Sequence, residues 1–264
     1  MTGQLPIFVI ALARAPERWA HLSARLGTLG LTAERIEALD RRAVPAARLR
    51  DGFGGSRDFP ATPGDMACTL SHIGIWGRVA ALGEGAAIVL EDDAGLSAGF
   101  ADYADPEIPR LMRRHAIELL KLEFWPGPQR SRRFPLGTAL GPAPGGATLY
   151  RLQSGFLGSC AYVLTAAGAR ALLERFPVPQ VPVDHLLFGR AAGLGYDLLC
   201  PGFVNPAPVL HDLQRFDSDI AGERGDTRRT LSRRLKDWSA ARGEARALKA
   251  EGAVRVEMQF AGED

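Results

Sequence analysis

The stretch AAIVLEDDAGL, residues 86–96, decides the fold. An apolar run ends at Leu90 and is followed at once by Glu91, Asp92 and Asp93. A short apolar run without polar alternation is typical of a strand that is buried on both faces. Ligands of open α/β sheets bind outside the carboxyl ends of the strands, and a bound cation relieves the repulsion between adjacent carboxylates. The stretch therefore predicts a cation and phosphate site at a strand end, although an acidic loop or a helix N-terminus would also favour these charges.

The preceding sequence predicts that this strand belongs to a parallel sheet. The run PIFVIAL, residues 6–12, is predicted to be a buried strand, a helix begins near Pro16, and residues 34–39 form a second strand. A further helix begins at Pro63, with Thr62 as its N-cap. Later segments are predicted as strands at 116–123, 160–164 and 197–200, helices at 166–176 and 183–192, a Pro/Gly-rich loop at 126–147, and loop-like chain at 201–222.

Composition excludes several other classes of protein. The chain has 264 residues, 46% of them hydrophobic, and a formal net charge of +2, so it is an ordinary globular protein without a nucleic-acid footprint. Its three cysteines lack a CxxC spacing, which indicates reduced thiols in a cytoplasmic protein and suggests neither a zinc site nor a disulfide framework. Neither a signal peptide nor a membrane-spanning run is expected.

Three ordered motifs resemble those of glycosyltransferase family 25, the lipooligosaccharide-biosynthesis and collagen-galactosyl type. They are PGDMACTLSHIGIW (63–76), LEDD (90–93) and GSCAYVLTAAGARALLERF (158–176), and the opening FVIALARAPERWAHL (8–22) is similar to the family's first strand and helix. PVDHLL (182–187) and FDSDI (216–220) fit its C-terminal half. The chain departs from the pattern at Ala11 and Ala13, where the family has Asn and Asp, and at Asp65, where it has Glu.

The resemblance implies a GT-A-like fold, in which a Rossmann-like, mostly parallel sheet flanked by helices binds a nucleotide-sugar with Mn²⁺ or Mg²⁺. It also implies an inverting transfer of a hexose, commonly galactose from UDP-galactose, to a glycan or lipid-linked glycan acceptor. We expect this domain at residues 1–222 and a basic, helical C-terminal tail at 223–264.

The acidic triplet supplies the expected metal ligands. By similarity to the DxD motif of GT-A enzymes, Glu91 and Asp93 are the spaced pair, since alternate residues of an extended segment face the same way. Asp92 would then point elsewhere, towards ribose or backbone. His211 is a candidate for a further metal ligand, although a lone histidine is more often a surface or hydrogen-bonded residue.

An inverting transfer needs a base for the acceptor hydroxyl. We favour Asp184, which begins a helix and whose alternative role is N-capping, over Glu123 at the end of the strand 116–123.

Four further residues are donor-site candidates. Arg14 and Arg18 follow the first strand and either pair with the diphosphate or are solvated. In the resemblance Ser71 and His72 line the donor side, and their alternative role is helix packing.

The C-terminal tail is predicted to form a basic helix. A basic amphipathic helix is predicted by the apolar residues that lie among Arg and Lys there, namely Leu231, Leu235, Trp238 and Leu248. This helix is either merely solvated or docks peripherally on an anionic membrane.

Two alternative functions remain from the sequence. One rival is a binding module that has lost catalysis, which Ala11 and Ala13 favour. The other is a nucleotidyltransferase, but the sequence lacks a Gly-rich phosphate loop with Lys.

Overall fold

The computed structural model describes residues 3–212 and 230–262. Its helices are α1 (Pro16–Thr28), α2 (Ala46–Asp51), α3 (Pro63–Ala80), α4 (Ile108–Arg114), α5 (Arg130–Arg133), α6 (Ala166–Arg175), α7 (Val183–Phe188), α8 (Gly195–Leu199) and α9 (Leu231–Ala250). Its strands are β1 (Ile7–Ala11), β2 (Glu34–Glu37), β3 (Ala86–Glu91), β4 (Ala94–Leu96), β5 (Leu119–Lys121), β6 (Glu123–Phe124), β7 (Leu136–Pro142), β8 (Thr148–Leu152), β9 (Ala161–Thr165), β10 (Gly202–Asn205), β11 (Val209–His211) and β12 (Val254–Arg255). The predicted α/β class is confirmed.

The main sheet has nine strands in the order β12-β7-β8-β10-β5-β9-β3-β1-β2. The expected parallel arrangement holds for β2, β1 and β3, and again where β10 lies beside β5. The remaining neighbours are antiparallel, because β9 enters between β3 and β5 in the opposite direction and β7, β8 and β12 are joined as antiparallel neighbours. The sheet is therefore mixed rather than mostly parallel.

Both faces of this sheet are covered, as its apolar strands predicted. Along β1, Ile7 and Val9 pack into one core cluster with Leu22 of α1. Phe8 and Ile10 pack into a second cluster with Trp76 of α3 on the opposite face. This alternation follows from the two-residue period of a strand, so β1 contributes to the core on both faces of the sheet.

A second sheet of three strands, β4-β11-β6, lies directly after the acidic triplet. In its register His211 is paired with Ala94, and the Asp212 N–H donates to the carbonyl of Asp93 at 3.1 Å. Backbone pairing therefore carries a histidine from late in the chain to the end of β3.

The helix α3 begins as predicted. The Thr62 hydroxyl accepts from the Asp65 N–H at 3.1 Å, and the Asp65 carboxylate accepts from the Thr62 N–H at 3.0 Å. This capping box satisfies two backbone donors at the helix start and therefore fixes the first turn of α3. The N-cap of α6 is likewise Thr165.

Several sequence predictions were wrong in the second half of the chain. Residues 126–147 contain α5 and β7 rather than a structureless loop, residues 197–200 end the helix α8 rather than forming a strand, and 201–222 contain β10 and β11. The predicted strand 116–123 is reduced to β5, with β6 passing to the other sheet. These elements are short and their order depends on pairing partners, so local propensity does not specify them. The FDSDI motif lies outside the described residues.

The helix predicted in the basic tail is present as α9, and the part of that prediction before Thr230 lies outside the described residues. After α9 the chain returns to the sheet, where β12 pairs with β7. Within the described ranges, no helix combines the length and the apolar character that crossing a membrane requires.

Candidate active site

A cavity of about 310 Å³ opens at the carboxyl ends of β1 and β3. Its wall is built from the chain after β1, the first turns of α3, the end of β3, the segment before β9 and the start of α7. It brings together eight of the ten candidate residues, namely Arg14, Arg18, Ser71, Glu91, Asp92, Asp93, Asp184 and His211. The tertiary structure thus collects at one site residues that are nearly 200 positions apart.

Asp93 is paired with His211. The His211 Nε2 and Asp93 Oδ2 atoms are 3.1 Å apart, and the Cys160 thiol lies 3.5 Å from Oδ1. Burial opposes both charges, but the attraction between the pair outweighs it, so that the pKa of Asp93 is lowered and the pKa of His211 is raised to about 9. At neutral pH a carboxylate and a protonated imidazole therefore face each other at the end of β3.

Asp92 points to the backbone, one of the two directions that the sequence predicted for it. Its Oδ2 accepts from the Leu12 N–H at 3.0 Å, and Arg18 lies 3.6 Å from Oδ1. Burial raises the pKa of Asp92 to about 6, although the Leu12 N–H and Arg18 favour the charged form. Asp92 therefore connects the end of β3 to the chain after β1.

Glu91 is held on the opposite side of the triplet. Its Oε1 accepts from the Ser159 hydroxyl at 2.7 Å and lies 3.3 Å from His72 Nε2. His72 is fully buried, and its Nδ1 lies 2.8 Å from the Tyr162 hydroxyl. Because His72 is not in the cavity wall, its link to the cavity runs through Glu91.

Ser71 lines the cavity, and its hydroxyl also anchors the segment that follows β2. Its hydroxyl donates to the Ala67 carbonyl at 2.8 Å and accepts from the Leu39 N–H at 2.9 Å. Leu39 lies just after β2, so this bond fixes the cavity wall between β2 and α3.

The two base candidates differ in their placement. Asp184 lies in the first turn of α7 and lines the cavity, while the N-cap of this helix is Pro182, so Asp184 is not the cap. Glu123 is fully buried outside the cavity lining, 2.9 Å from Lys121 Nζ and 3.5 Å from Arg132. Burial opposes its charge, but Lys121 and Arg132 outweigh that effect and lower the pKa of Glu123. This placement favours Asp184.

Cations line the cavity on two sides. Arg14 is 2.8 Å from Asp40, and Arg18 is close to Asp92. Arg132 lines another part of the wall, where its guanidinium lies 4.2 Å from the ring centre of Trp125. Arg132 was not among the residues predicted from the sequence, where its one signal was the basic run 130–133 inside the Pro/Gly-rich segment.

The residues at the end of β3 fit a hard divalent cation. Asp93 and Glu91 offer carboxylate oxygens, and His211 would offer an imidazole nitrogen once a bound cation displaced its proton. Mn²⁺ and Mg²⁺ prefer such oxygen-rich sets, with substrate phosphates completing the shell.

The mixed α/β fold is the one expected of a glycosyltransferase with a GT-A-like fold, and similarity to known proteins supports this class. Residues 4–187 match the family model described as glycosyltransferase family 25 (LPS biosynthesis protein). The chain belongs to this family.

Two relatives illustrate the range of the family. The chain is 30% identical over 191 residues to the inactive glycosyltransferase 25 family member 3 of Mus musculus, an alignment that covers 69% of this chain and 31% of the relative. It is 27% identical over 224 residues to the lacto-N-neotetraose biosynthesis glycosyltransferase LgtB of Neisseria gonorrhoeae, covering 78% of this chain and 74% of the relative. The chain thus spans about a third of the mouse relative's length.

Proposed function

We propose that this chain is an active glycosyltransferase that moves a hexose, with galactose favoured, from a UDP-hexose to a glycan or lipooligosaccharide-type acceptor. The proposed reaction inverts the anomeric carbon and depends on Mn²⁺ or Mg²⁺. The observation that carries the proposal is the cavity at the ends of β1 and β3, which the acidic triplet lines together with Arg14 and Arg18.

Asp93, Glu91 and His211 are the residues that would hold the cation. When bound, the cation would neutralise the diphosphate and stabilise its charge as the leaving group departs. Asp92 keeps the chain after β1 in place through the Leu12 N–H, and so positions Arg14 and Arg18 at the cavity. Their guanidinium groups can donate to phosphate oxygens.

Asp184 would take the proton of the acceptor hydroxyl while that oxygen attacks the sugar carbon. Its first-turn position on α7 presents a carboxylate to the cavity, and the His185 N–H donates to its Oδ1 at 2.7 Å. Glu123 would have to leave Lys121 and Arg132 to do the same work, which is why we assign the base to Asp184.

The rival proposal, a binding module without catalysis, is favoured by Ala11 and Ala13 and by the inactive mammalian relatives. Two measurements separate the proposals. Thermal unfolding with UDP-, GDP- and CMP-sugars, with and without Mn²⁺, should show stabilisation by a UDP-hexose that requires the metal. Incubation with UDP-galactose and a lipooligosaccharide acceptor should release UDP and form a glycosidic product.

The metal role is tested by Asp93→Asn, with Asp51→Asn at the exposed end of α2 as the matched control. We expect Asp93→Asn to remove the metal-dependent stabilisation while Asp51→Asn retains it. Equal binding by both variants would refute the metal role. Metal-dependent binding without any product would instead support the binding module.

We further propose peripheral contact with an anionic membrane through α9. Its buried side packs on the domain, since Lys236 pairs with Asp58 and Ala247 is fully buried. Its outer side exposes Leu231, Leu235 and Trp238 by 78%, 67% and 57%. Their spacing of four and three residues places them on one helix face, beside Arg and Lys side chains that suit anionic headgroups.

Co-sedimentation with vesicles tests this contact. Wild type should bind anionic vesicles and not neutral ones, and Trp238→Ala should weaken that binding. Leu248→Ala serves as the control, because Leu248 is also exposed on α9 but points to another side of the helix. Equal losses in the two variants would contradict a specific membrane face.

A further inference from the structure

A second group of ligand atoms lies at the floor of the cavity, which Cys68 and Glu91 line and beside which His72 is buried. Cys68, His72 and Glu91 each offer one ligand atom, and these atoms all lie within 4.8 Å of one another. We propose that these three residues bind a zinc-class divalent cation at a site that shares Glu91 with the one around Asp93 but has two other ligands. The transfer mechanism above uses neither Cys68 nor the imidazole of His72 as a ligand.

Local geometry explains why the three meet. Cys68 and His72 are four residues apart on α3, so their side chains project from one face of the helix. The capping box at Thr62 and Asp65 fixes the start of this helix. Glu91 ends β3, and the pairing of β3 with β1 and β9 fixes its backbone. Two ligands thus come from one helix and one from a strand end, which makes a rigid set.

Hydrogen bonds behind the ligands orient them. The Tyr162 hydroxyl accepts from Trp76 Nε1 at 3.0 Å and lies 2.8 Å from His72 Nδ1, leaving His72 Nε2 directed at Glu91. Ser159 donates to the Glu91 carboxylate. Metal-bound histidines are commonly held in this way through the other ring nitrogen, and such partners set both the tautomer and the ring orientation.

The chemistry of the set selects the ion. A thiolate, an imidazole and a carboxylate suit Zn²⁺ and Cd²⁺, whereas Mn²⁺ and Mg²⁺ prefer the oxygen ligands around Asp93. Cys68 and Glu91 line the cavity, so a fourth position on the ion faces solvent or a ligand. On binding, the Cys68 thiol loses its proton to solvent, and His72 coordinates through Nε2 while its Nδ1–H donates to Tyr162.

Occupation of this site changes the cavity. Glu91 belongs to both ligand sets, and a zinc-class ion would withdraw it from the cation held by Asp93. The ion would also occupy the cavity floor. We therefore expect Zn²⁺ to inhibit the proposed transfer, although the binding itself does not depend on that function.

Cadmium binding tests the proposal directly, since Cd²⁺–thiolate coordination gives an ultraviolet charge-transfer band. The parent protein is Cys200→Ser, because Cys200 is exposed and would bind the ion independently. Titration of the parent should give a saturable band with one ion per chain, and Zn²⁺ should displace it. Cys68→Ser should remove this band, and Cys160→Ser should retain it.

Further results distinguish this site from the neighbouring cation site around Asp93. Tyr162→Phe should keep the band but weaken Cd²⁺ binding by about 10–100-fold, since it removes the hydroxyl that orients His72 and leaves all three ligands in place. Loss of the band in Cys160→Ser but not in Cys68→Ser would overturn the proposal and place the ion beside Asp93. An unchanged band in Cys68→Ser, or no saturable band in the parent, would also overturn it. Because the readout is optical, an inactive transferase would leave this result unaffected.

Discussion

Replacing Lys121 by Met tests the charge network beneath the cavity. The Lys121 side chain is fully buried, its ammonium lies 2.9 Å from Glu123, and it donates to the Gly158 carbonyl at 2.5 Å. Burial lowers the pKa of Lys121 even though the attraction of Glu123 opposes this, so the lysine depends on its partners to remain charged. We expect Lys121→Met to leave the buried Glu123 carboxylate and the buried Gly158 carbonyl without the ammonium group that contacts both.

The size of the loss follows from these contacts. Breaking a buried ion pair by removing one partner costs about 3–5 kcal/mol of the free energy of unfolding. Arg132 remains 3.5 Å from Glu123, and the Ala161 N–H still donates to it at 3.2 Å. Because the carboxylate keeps these partners, we expect a loss near the lower limit, about 3 kcal/mol.

Urea unfolding at neutral pH measures this loss, and the double variant Lys121→Met/Glu123→Gln isolates the coupling. The double variant should lose clearly less stability than the sum of its single variants. Glu123→Gln removes the buried carboxylate charge that Lys121→Met leaves without its ammonium partner. Arg110→Met is the control, since its ion pair with Glu107 is largely exposed and should contribute less than about 1 kcal/mol. A loss in Lys121→Met no greater than in this control, or strict additivity in the double variant, would refute the reasoning.

Three further changes probe the parts that hold the site. Gly158→Ala should destabilise the fold by more than about 2 kcal/mol in urea unfolding, because its φ is +114° and an added Cβ would lie 1.9 Å from Glu123 Oε1. Thr62→Ala should cost about 1 kcal/mol by the same measurement, since it removes the N-cap of α3. Asp58→Ala should speed proteolysis within α9, because Asp58 accepts hydrogen bonds from Thr230, Ser232 and Lys236 at the start of this helix.

Each of these has an outcome that would contradict it, and two have matched control variants. Gly27→Ala in α1 places its Cβ where no atom lies within 4 Å and should stabilise the helix by about 0.5–1 kcal/mol, so equal effects at Gly27 and Gly158 would contradict the packing argument. Full stability of Thr62→Ala would show that the capping box is dispensable. Unchanged cleavage of Asp58→Ala, relative to Asp51→Ala on α2, would show that other contacts anchor α9.

Much of the first half of the fold could be predicted because its signals are local. The apolar run of β1, the proline at the start of α1 and the Thr62 cap each act within a few residues. The second half could not be predicted in the same way. Gly137 in β7 illustrates the reason. A Cβ there would lie 2.7 Å from the ring of Phe203, which is in β10 beyond the neighbouring strand β8, so tertiary packing rather than its own sequence explains this strand.

The candidate site, too, could be predicted from the sequence only in part. The carboxylates at the end of β3 and the arginines after β1 could be placed together from the rule that strand ends meet at one edge of a sheet. The role of Arg132 could not, because residues 126–147 resembled a loop. Glu123 was the second candidate for the base from the sequence, and only the structure shows its burial against Lys121.

By itself, the sequence determined that strands and helices alternate and that three carboxylates follow a buried strand, since these are properties of neighbouring residues. Only the tertiary structure decided which distant groups complete the site. His211 reaches Asp93 through the pairing of β11 with β4, and Cys68 and His72 reach Glu91 through the packing of α3 on the sheet. The physical reason is that such contacts depend on strand register and helix packing between segments far apart in the chain, which no short stretch of sequence encodes.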